Sequence, residues 1–300
     1  MQTPSYLKSG DKIAIVAPAR KTSREELKPA VDVLNSWGYE VVFGDNLFKE
    51  LNQFSGSDEE RAFDFQKALD ADDIKAILIA RGGYGILRII DKLDFTKFVK
   101  NPKWIIGYSD VTIFHSHINK NYSIDTLHAT MPLNFPVDGS INQSLNTLHT
   151  ALKGESLSYE IEKHSLNRKG SAKGELCGGN LSILYALSAS VSDINTDGKI
   201  LFIEDLDEYL YHIDRMMLNL KRSGKLDKLA GLIVGGMSEM RDNTVPFGKT
   251  AVEIIAETVA EYNYPVCFNF PAGHTSENYA LIMGRNVRLT VDDTVVLKFD

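Results

Sequence analysis

The first half of the chain alternates short apolar segments with amphipathic ones, and this alternation restricts the possible folds more than any other feature. Five segments are predicted to be β-strands, at residues 12–17, 40–43, 74–80, 104–106 and 124–127. Most are apolar throughout, as expected of strands covered on both faces. Capping boxes at Ser23-Arg24-Glu25-Glu26 and Ser57-Asp58-Glu59-Glu60 predict helix starts between them. The pattern predicts an α/β fold with a doubly wound parallel sheet, whose functional residues lie at the carboxyl ends of the strands.

The second half has a different pattern. A predicted helix at 141–152 is followed by a polar segment that is typical of an interdomain connection. Further strands are predicted at 200–203, 231–234 and 266–268, helices at 179–189, 211–222 and 250–262, and a terminal β-hairpin at 287–297. We therefore predict a domain at 1–152, a linker at 153–170 and a domain at 171–300, with a ligand site in the cleft between the domains.

Composition excludes several classes of protein. The chain has 300 residues, 43% of them hydrophobic and 24% charged, which excludes a disordered or fibrous protein. A net charge of -7 without a long Lys/Arg run argues against a nucleic-acid partner. Cys177 and Cys267 are too few for a disulfide framework and too far apart for a zinc knuckle, which indicates a reducing compartment. With no signal-like N-terminus and no apolar run of the ~20 residues that a membrane helix needs, we expect a cytoplasmic protein without a membrane partner.

A glycine-rich segment, Arg81-Gly82-Gly83-Tyr84-Gly85, directly follows the strand predicted at 74–80. Such glycines let backbone amides approach an anion, as in a dinucleotide-binding loop, but Arg88 stands where the third glycine of that motif belongs. A tight turn that needs positive φ is an equally good interpretation. A third is an oxyanion hole, which needs exposed backbone N–H groups.

An acidic run follows the strand predicted at 200–203 and contains Glu204, Asp205, Asp207 and Glu208. Clustered carboxylates can hold a hard cation, although they more often form a solvated loop. Glu204 is nearest the strand end, so its side chain can point into a cleft and orient a histidine.

His274 lies in a loop bounded by Pro271 and Gly273, just after the strand predicted at 266–268, and loops at strand ends often carry function. His128 also follows a strand and is a possible supporting residue. The other five histidines lie in helical or polar stretches and are expected to be structural or surface residues: His115, His117, His149, His164 and His212.

Gly107-Tyr108-Ser109-Asp110 joins the strand predicted at 104–106 to a helix. The turn could be an ordinary βα loop with a polar cap, but nucleophilic serines are often presented this way. Ser109, Glu204 and His274 each end a predicted strand, in an order known for Ser–acid–His triads on α/β folds. The amides of Asp110 and the Gly82-Gly83 loop are the available donors for an oxyanion.

Five motifs together resemble the LD-carboxypeptidase family of serine peptidases: Gly-Tyr-Ser-Asp, Arg-Gly-Gly-Tyr-Gly, Gly-Glu-Leu-Cys-Gly-Gly-Asn-Leu at 174–181, Phe-Ile-Glu-Asp at 202–205 and Pro-Ala-Gly-His at 271–274. The resemblance extends from about residue 10 to residue 289. It implies Ser109 as nucleophile, Glu204 and His274 as its partners, and the amides of Asp110 and Gly83 as the oxyanion hole. It also implies a flavodoxin-like N-terminal domain, a smaller barrel-like C-terminal domain, a homodimer, and neither metal nor cofactor. Val111 stands where the elbow of α/β-hydrolases has its second glycine.

The family resemblance implies a substrate as well. Family members release terminal D-alanine from muropeptide tetrapeptides by cutting an L,D-peptide bond during cell-wall recycling. A carboxypeptidase must also bind the substrate carboxylate, and we predict that Arg81 does so. Alternatively, Arg81 is a surface charge or part of an interdomain ion pair. A related subgroup inactivates peptidyl-nucleotide antibiotics such as microcin C and stacks the base on an aromatic side chain of the second domain. Trp37 and Trp104 both lie in the first half, which favours the cell-wall branch, although Tyr209 or Tyr211 could stack instead. A noncatalytic muropeptide-binding module is the further alternative.

Overall fold

The computed structural model describes residues 1–300 and contains 13 strands and eight α-helices. The strands are Lys12–Val16 (β1), Glu40–Phe43 (β2), Ile74–Ile79 (β3), Trp104–Gly107 (β4), Thr126–His128 (β5), Ser158–Glu162 (β6), Gly170–Asn180 (β7), Ile200–Leu206 (β8), Gly231–Ser238 (β9), Val266–Cys267 (β10), Leu281–Met283 (β11), Asn286–Val291 (β12) and Thr294–Phe299 (β13). The helices are Arg24–Ser36 (α1), Asp58–Asp70 (α2), Thr96–Lys100 (α3), Thr112–Tyr122 (α4), Gln143–Lys153 (α5), Leu181–Ala186 (α6), Leu210–Arg222 (α7) and Ala251–Thr258 (α8).

The first sheet has the order β2-β1-β3-β4-β5-β11, and its first five strands are parallel. This order is that of flavodoxin-like doubly wound sheets, so the predicted fold class is confirmed. Alternate side chains of β1 face opposite sides of the sheet. Ile13 and Ile15 pack with side chains of α1 and α5, whereas Ala14 and Val16 pack with side chains of α2 and α4. Helices therefore cover both faces, which explains the nearly continuous apolar strands.

Both predicted capping boxes are present at helix starts. The Ser23 hydroxyl accepts from the Glu26 amide at 3.2 Å, and the Glu26 carboxylate accepts from the Ser23 amide at 2.8 Å. Ser57 and Glu60 make the same reciprocal pair at the start of α2. Each pair satisfies two N–H groups that a helix start otherwise leaves without partners.

The second sheet has the order β10-β9-β8-β7-β12-β13-β6. Strands β7 to β10 are parallel and the others antiparallel, with β12 and β13 forming the predicted terminal hairpin. Arg168, two residues before β7, forms an antiparallel bridge with Val266 of β10. Because this bridge joins the chain leading into β7 to the strand at the other end of the parallel group, the four strands curl into a ring. The second domain is thus barrel-like, as the resemblance implies.

Three strands depart from the predicted organisation: β6, β7 and β11 were not predicted, and the helix predicted at 179–189 begins inside β7. The segment 153–170, expected to be a linker, contains β6, whose Tyr159 and Ile161 face inward while its glutamates face solvent. Strand β11 belongs to the first sheet although it lies near the end of the chain. The domain boundaries themselves stay a prediction.

One apolar core cluster runs between the two sheets. It contains Leu127 of β5 and Ala129 just after it, Phe202 and Ile233 from the second sheet, and Leu281 of β11. The two domains therefore share buried apolar surface next to the ends of β4 and β5. None of the eight helices combines the length and the apolar composition needed to cross a membrane.

Candidate active site

Loops at the carboxyl ends of neighbouring parallel strands form one side of the candidate site. The Gly82-Gly83 loop follows β3 and Ser109 follows β4, and these strands are paired. Parallel strands end at the same sheet edge, so the two loops lie side by side.

Ser109 occupies a strained strand-to-helix turn. Its φ of +66° is in the left-handed region, which non-glycine residues rarely adopt. A 3-10 turn over Ser109–Val111 leads directly into α4. Residues with such backbone conformations are common at functional sites, where the fold imposes the geometry. The strand, turn and helix place a half-buried serine at the edge of the sheet.

The glycine loop approaches Ser109 closely. A β-carbon at position 82 would lie 3.0 Å from Cβ of Ser109 and 3.2 Å from its Oγ, so a larger residue there would press on the serine. Gly83 has a φ of +108°, which other residues avoid. Among the three interpretations of this loop, the close approach of backbone to a serine hydroxyl supports the oxyanion hole.

Asp110 connects the two loops. Its Oδ2 accepts a hydrogen bond of 2.9 Å from the amide of Ile86, which follows the glycine loop. Burial raises the pKa of the Asp110 carboxyl to about 6, although the Ile86 amide works in the opposite direction. The Asp110 side chain thus ties the glycine loop to the Ser109 turn. The backbone amide of Asp110 takes no part in this hydrogen bond.

Glu204 lies inside β8 rather than after it, because the strand continues to Leu206. The pairing of β8 with β9 shifts register between Ile203 and Asp205, and such a bulge re-aims the side chain at that position. Glu204 is completely buried. Its Oε2 accepts hydrogen bonds from Nδ1 of His274 at 2.6 Å and from the backbone amide of His274 at 3.1 Å. The structure therefore brings together these two predicted site residues, which are 70 positions apart in the chain.

His274 also lies against the Ser109 turn. Its ring centroid is 4.8 Å from that of Tyr108, the residue directly before Ser109. Burial by itself lowers the pKa of the imidazole, but the hydrogen bond and negative charge of Glu204 outweigh burial and raise it. The imidazole beside Tyr108 is therefore held by a buried carboxylate that favours its protonated form.

Gly273 is required for this pairing. A β-carbon at position 273 would lie 2.5 Å from Oε2 of Glu204, and the residue has a φ of +98°. Its amide donates a 2.9 Å hydrogen bond to the side chain of Asn278, which holds the loop. The glycine before His274 thus leaves the space that the carboxylate occupies.

The rest of the acidic run has partners within the protein. Asp205 accepts from Nδ2 of Asn180 at 2.9 Å, Asp207 pairs with Arg241, and Glu208 pairs with His212. No group of three or more His, Cys, Asp or Glu side chains is placed to hold a metal ion.

The other residues singled out from the sequence differ in burial and in their partners. Arg81 lies 3.7 Å from a carboxylate oxygen of Glu26, so its charge is matched within the protein. His128 is buried at the end of β5 with no partner on either ring nitrogen, and burial lowers its pKa well below the usual range. His115 bonds Thr126 and the Gly107 carbonyl within the first domain, as expected of a structural residue.

Three features of the site were not predicted from the sequence. Tyr108 contacts His274 from the serine side, and Arg20 lies against Gly83 from the loop after β1. A polar cavity of about 190 Å³ also adjoins Tyr108 and the residues after His274, and its lining includes Asn134 and Asn278. Neither an isolated tyrosine nor an isolated arginine has a sequence signature that marks it as part of a site.

A serine in a strained βα turn, backbone amides beside it and a histidine held by a buried carboxylate form an arrangement typical of serine hydrolases. Residues 13–129 match the model of the LD-carboxypeptidase N-terminal domain, and residues 173–289 match that of the LD-carboxypeptidase C-terminal domain. The chain belongs to the LD-carboxypeptidase family and is a serine-type carboxypeptidase.

Relatives match along nearly the whole chain. A probable murein peptide carboxypeptidase of Bacillus subtilis (strain 168) is 32% identical over 310 residues, which cover 98% of this chain and 94% of the relative. A murein tetrapeptide carboxypeptidase of Pseudomonas aeruginosa is 25% identical and covers 93% of this chain and 92% of its own.

Solved structures share the fold. The crystal structure of muramoyltetrapeptide carboxypeptidase from Oxalobacter formigenes has a TM-score of 0.86 at 29% identity, covering 96% of this chain and 98% of its own. The microcin C7 self immunity protein MccF in complex with aspartyl sulfamoyl adenosine has a TM-score of 0.87 at 22% identity, covering 99% and 98%. At that identity the likeness to MccF concerns the fold alone.

Proposed function

We propose that this enzyme hydrolyses the L,D-peptide bond that releases terminal D-alanine from muropeptide tetrapeptides in cell-wall recycling. The observation that carries the proposal is the buried Glu204–His274 hydrogen bond beside the Ser109 turn. Murein peptide and tetrapeptide carboxypeptidases among the relatives support this substrate.

In the proposed mechanism, Ser109 is the nucleophile. A serine hydroxyl is a poor nucleophile at neutral pH, so Nε2 of His274 takes its proton as Oγ attacks the scissile carbonyl. Glu204 accepts the N–H at Nδ1, which leaves Nε2 as the basic nitrogen and stabilises the imidazolium that forms. His274 then gives the proton to the leaving D-alanine amine. Water, deprotonated by the same imidazole, hydrolyses the acyl-enzyme and restores Ser109.

The amides of Asp110 and Gly83 are proposed to bind the oxyanion. The close approach of Gly82 to Ser109 and the Asp110–Ile86 hydrogen bond support this assignment, because together they hold the two donor loops side by side. Preorganised donors of this kind are worth about 10²–10³ in kcat each.

The alternative substrate is a peptidyl-nucleotide of the microcin C type. One observation favours it: Tyr209 and Tyr211 are both exposed and stack on each other with ring centroids 5.4 Å apart, just after β8. Against it, both tryptophans of the chain, Trp37 and Trp104, lie in the first domain.

Product analysis with a panel of substrates tests the proposal. We expect free D-alanine from a tetrapeptide with an L,D-terminal bond, and little product from D,D- or L,L-linked peptides or an aspartyl-adenylate analogue. Preference for the adenylate would favour the alternative, and binding without turnover would indicate a noncatalytic module. Chelation by EDTA should leave the rate unchanged, since no step uses a metal.

A serine substitution with a matched control tests the nucleophile. Ser109→Ala should abolish D-alanine release and leave the fold intact. Ser123→Ala is the control, because Ser123 also has a positive φ, +54°, but caps the end of α4. Near-normal release by Ser109→Ala would refute Ser109 as the nucleophile.

The family resemblance also leads us to propose a cytoplasmic homodimer. Sedimentation equilibrium of the purified protein and fractionation of the producing cells test the two parts separately.

A further inference from the structure

We propose that Arg20 binds the C-terminal carboxylate of the peptide substrate and so determines the preference for a terminal residue. This inference rests on the proposed function. It replaces Arg81, the arginine that the sequence indicated, with a residue that only the structure places at the site.

Arg20 lies where doubly wound sheets bind their ligands. Strand order reverses at β1 and β3, and the crevice outside the carboxyl ends of such a strand pair is the usual ligand position. Arg20 follows β1, and the Gly82-Gly83 loop follows β3. The loop that carries Arg20 and the proposed oxyanion loop therefore border the same crevice.

Arg20 is in direct contact with that loop. A β-carbon at position 83 would lie 2.6 Å from Cδ of Arg20 and 2.8 Å from its Nε, so the arginine packs on the glycine backbone. Gly82, the preceding residue, lies against Ser109. Gly82 thus contacts the proposed nucleophile, and Gly83 contacts the cationic side chain of Arg20.

The guanidinium of Arg20 has no partner within the protein. The residue is exposed and makes no side-chain hydrogen bond, ion pair or cation–π contact, whereas the other arginines around the glycine loop are all engaged. Those arginines are Arg24 over Phe48, Arg61 on the carbonyls of Pro18 and Gly85, Arg81 beside Glu26 and Arg88 with Asp58. Arg20 is therefore the cation beside the loop that is free to bind an anion from solution.

The spacing fits a terminal residue. In a carboxypeptidase substrate the scissile carbonyl and the free carboxylate belong to adjacent residues, whose Cα atoms are about 3.8 Å apart. A group that binds the carboxylate must therefore lie within one residue's length of the oxyanion donors, and Arg20 touches one of them. The planar guanidinium can donate two parallel hydrogen bonds to a carboxylate, which a carboxamide cannot accept in the same way.

A comparison of two substrates tests the assignment: a tetrapeptide ending in D-alanine and the same peptide ending in D-alaninamide. Wild-type enzyme should prefer the acid. Arg20→Gln should lower kcat/KM for the acid roughly 10- to 100-fold, mainly through KM, because a charge-assisted hydrogen bond is lost, and should leave the amide nearly unaffected. The preference should then collapse, and Arg20→Lys should restore part of it.

Arg81→Gln and Arg24→Gln are the matched controls and should keep the acid preference. The Arg20 guanidinium has no hydrogen-bond or ion-pair partner within the protein, and glutamine keeps part of its aliphatic contact with Gly83, so Arg20→Gln should unfold near the wild-type temperature. An unchanged acid preference in Arg20→Gln, or its loss in Arg81→Gln instead, would overturn the role of Arg20 while leaving the proposed function standing. A wild-type enzyme that releases no D-alanine from the acid would refute the proposed function and this role with it.

Discussion

Nδ1 of His274 lies 2.6 Å from Oε2 of Glu204, a carboxylate with no exposure to solvent. The same oxygen accepts the backbone N–H of His274, and Oε1 has no partner in the protein. A buried charge is costly unless it is paired, and here the His274 ring and the His274 backbone amide both pair with the carboxylate. One carboxylate oxygen therefore holds both the ring and the loop that carries the ring. Glu204 therefore controls the position and the protonation of the imidazole together.

Glu204→Gln should reduce kcat/KM roughly 10⁴-fold, the loss typical when a triad loses its acid charge. It should also change the pH profile. The general base must be neutral, so activity falls as the pH drops through the pKa of His274, which burial lowers but Glu204 raises by a larger amount. Without the Glu204 charge, burial is opposed only by the smaller effects of Asp205 and Glu239, so the pKa of His274 falls and the acid limb should move to lower pH. Glu208→Gln, which removes the partner of His212, is the control, and an unmoved acid limb in Glu204→Gln would contradict this account.

Gly273→Ala should damage both stability and activity. Its β-carbon would lie 2.5 Å from Oε2 of Glu204. Gly248→Ala is the matched control, since Gly248 has a similar φ of +86° but nothing within 4 Å of a β-carbon. The control should lose about 1–2 kcal/mol of unfolding free energy from backbone strain alone. Gly273→Ala should lose more in urea unfolding and should also reduce kcat, and equal losses in the two variants would show that the Glu204 contact is unimportant.

Gly82→Ala separates catalysis from stability. Gly82 is not in the left-handed region, so alanine introduces no backbone strain there, but its methyl group would lie 3.0 Å from Cβ of Ser109. Displacing a nucleophile by a fraction of an ångström can cost about 10²-fold in rate. We expect kcat to fall by that order while the urea midpoint changes little. A variant with wild-type kcat would argue against a close contact of the glycine loop with Ser109.

The sequence predicted the doubly wound sheet correctly because its evidence is local. Strands buried on both faces are continuously apolar, and capping residues such as Ser23 and Ser57 act within four positions. Strand β6 was missed because an edge strand alternates buried and charged residues and resembles a polar connection. Strand β11 was missed because three residues join a sheet whose other strands end more than 150 positions earlier, and no local pattern encodes that pairing.

For the site, residue types were predictable and their surroundings were not. His274 and Glu204 stood out as polar groups after apolar strands, and the structure pairs them. The bulge that aims Glu204 depends on pairing with β9, and the contact of Arg20 with Gly83 depends on the order of β1 and β3. Arg81 was predicted to bind the substrate carboxylate because it adjoins the glycine loop, but its partner Glu26 belongs to a helix start 55 positions away, and that pairing exists only in the folded chain.

Asp110 should make stability fall as the pH rises. Burial raises the pKa of its carboxyl to about 6 in the folded protein, against about 3.9 in an unfolded chain. Between these values the native state keeps a proton that the unfolded state releases, so the unfolding free energy decreases with pH, by at most about 3 kcal/mol across the window.

Asp110→Asn removes this titration and leaves an oxygen that can accept from the Ile86 amide. We expect urea unfolding of both proteins at pH 4.5, 5.5 and 7 to show the unfolding free energy of the variant rising relative to that of wild type at each step. The other carboxylates are common to both proteins, so their contributions cancel in this difference. Asp138→Asn, at an exposed loop where hydrogen bonds lower the pKa of the carboxyl, should show no gain, and a pH-independent difference for Asp110→Asn would mean that this carboxyl titrates normally.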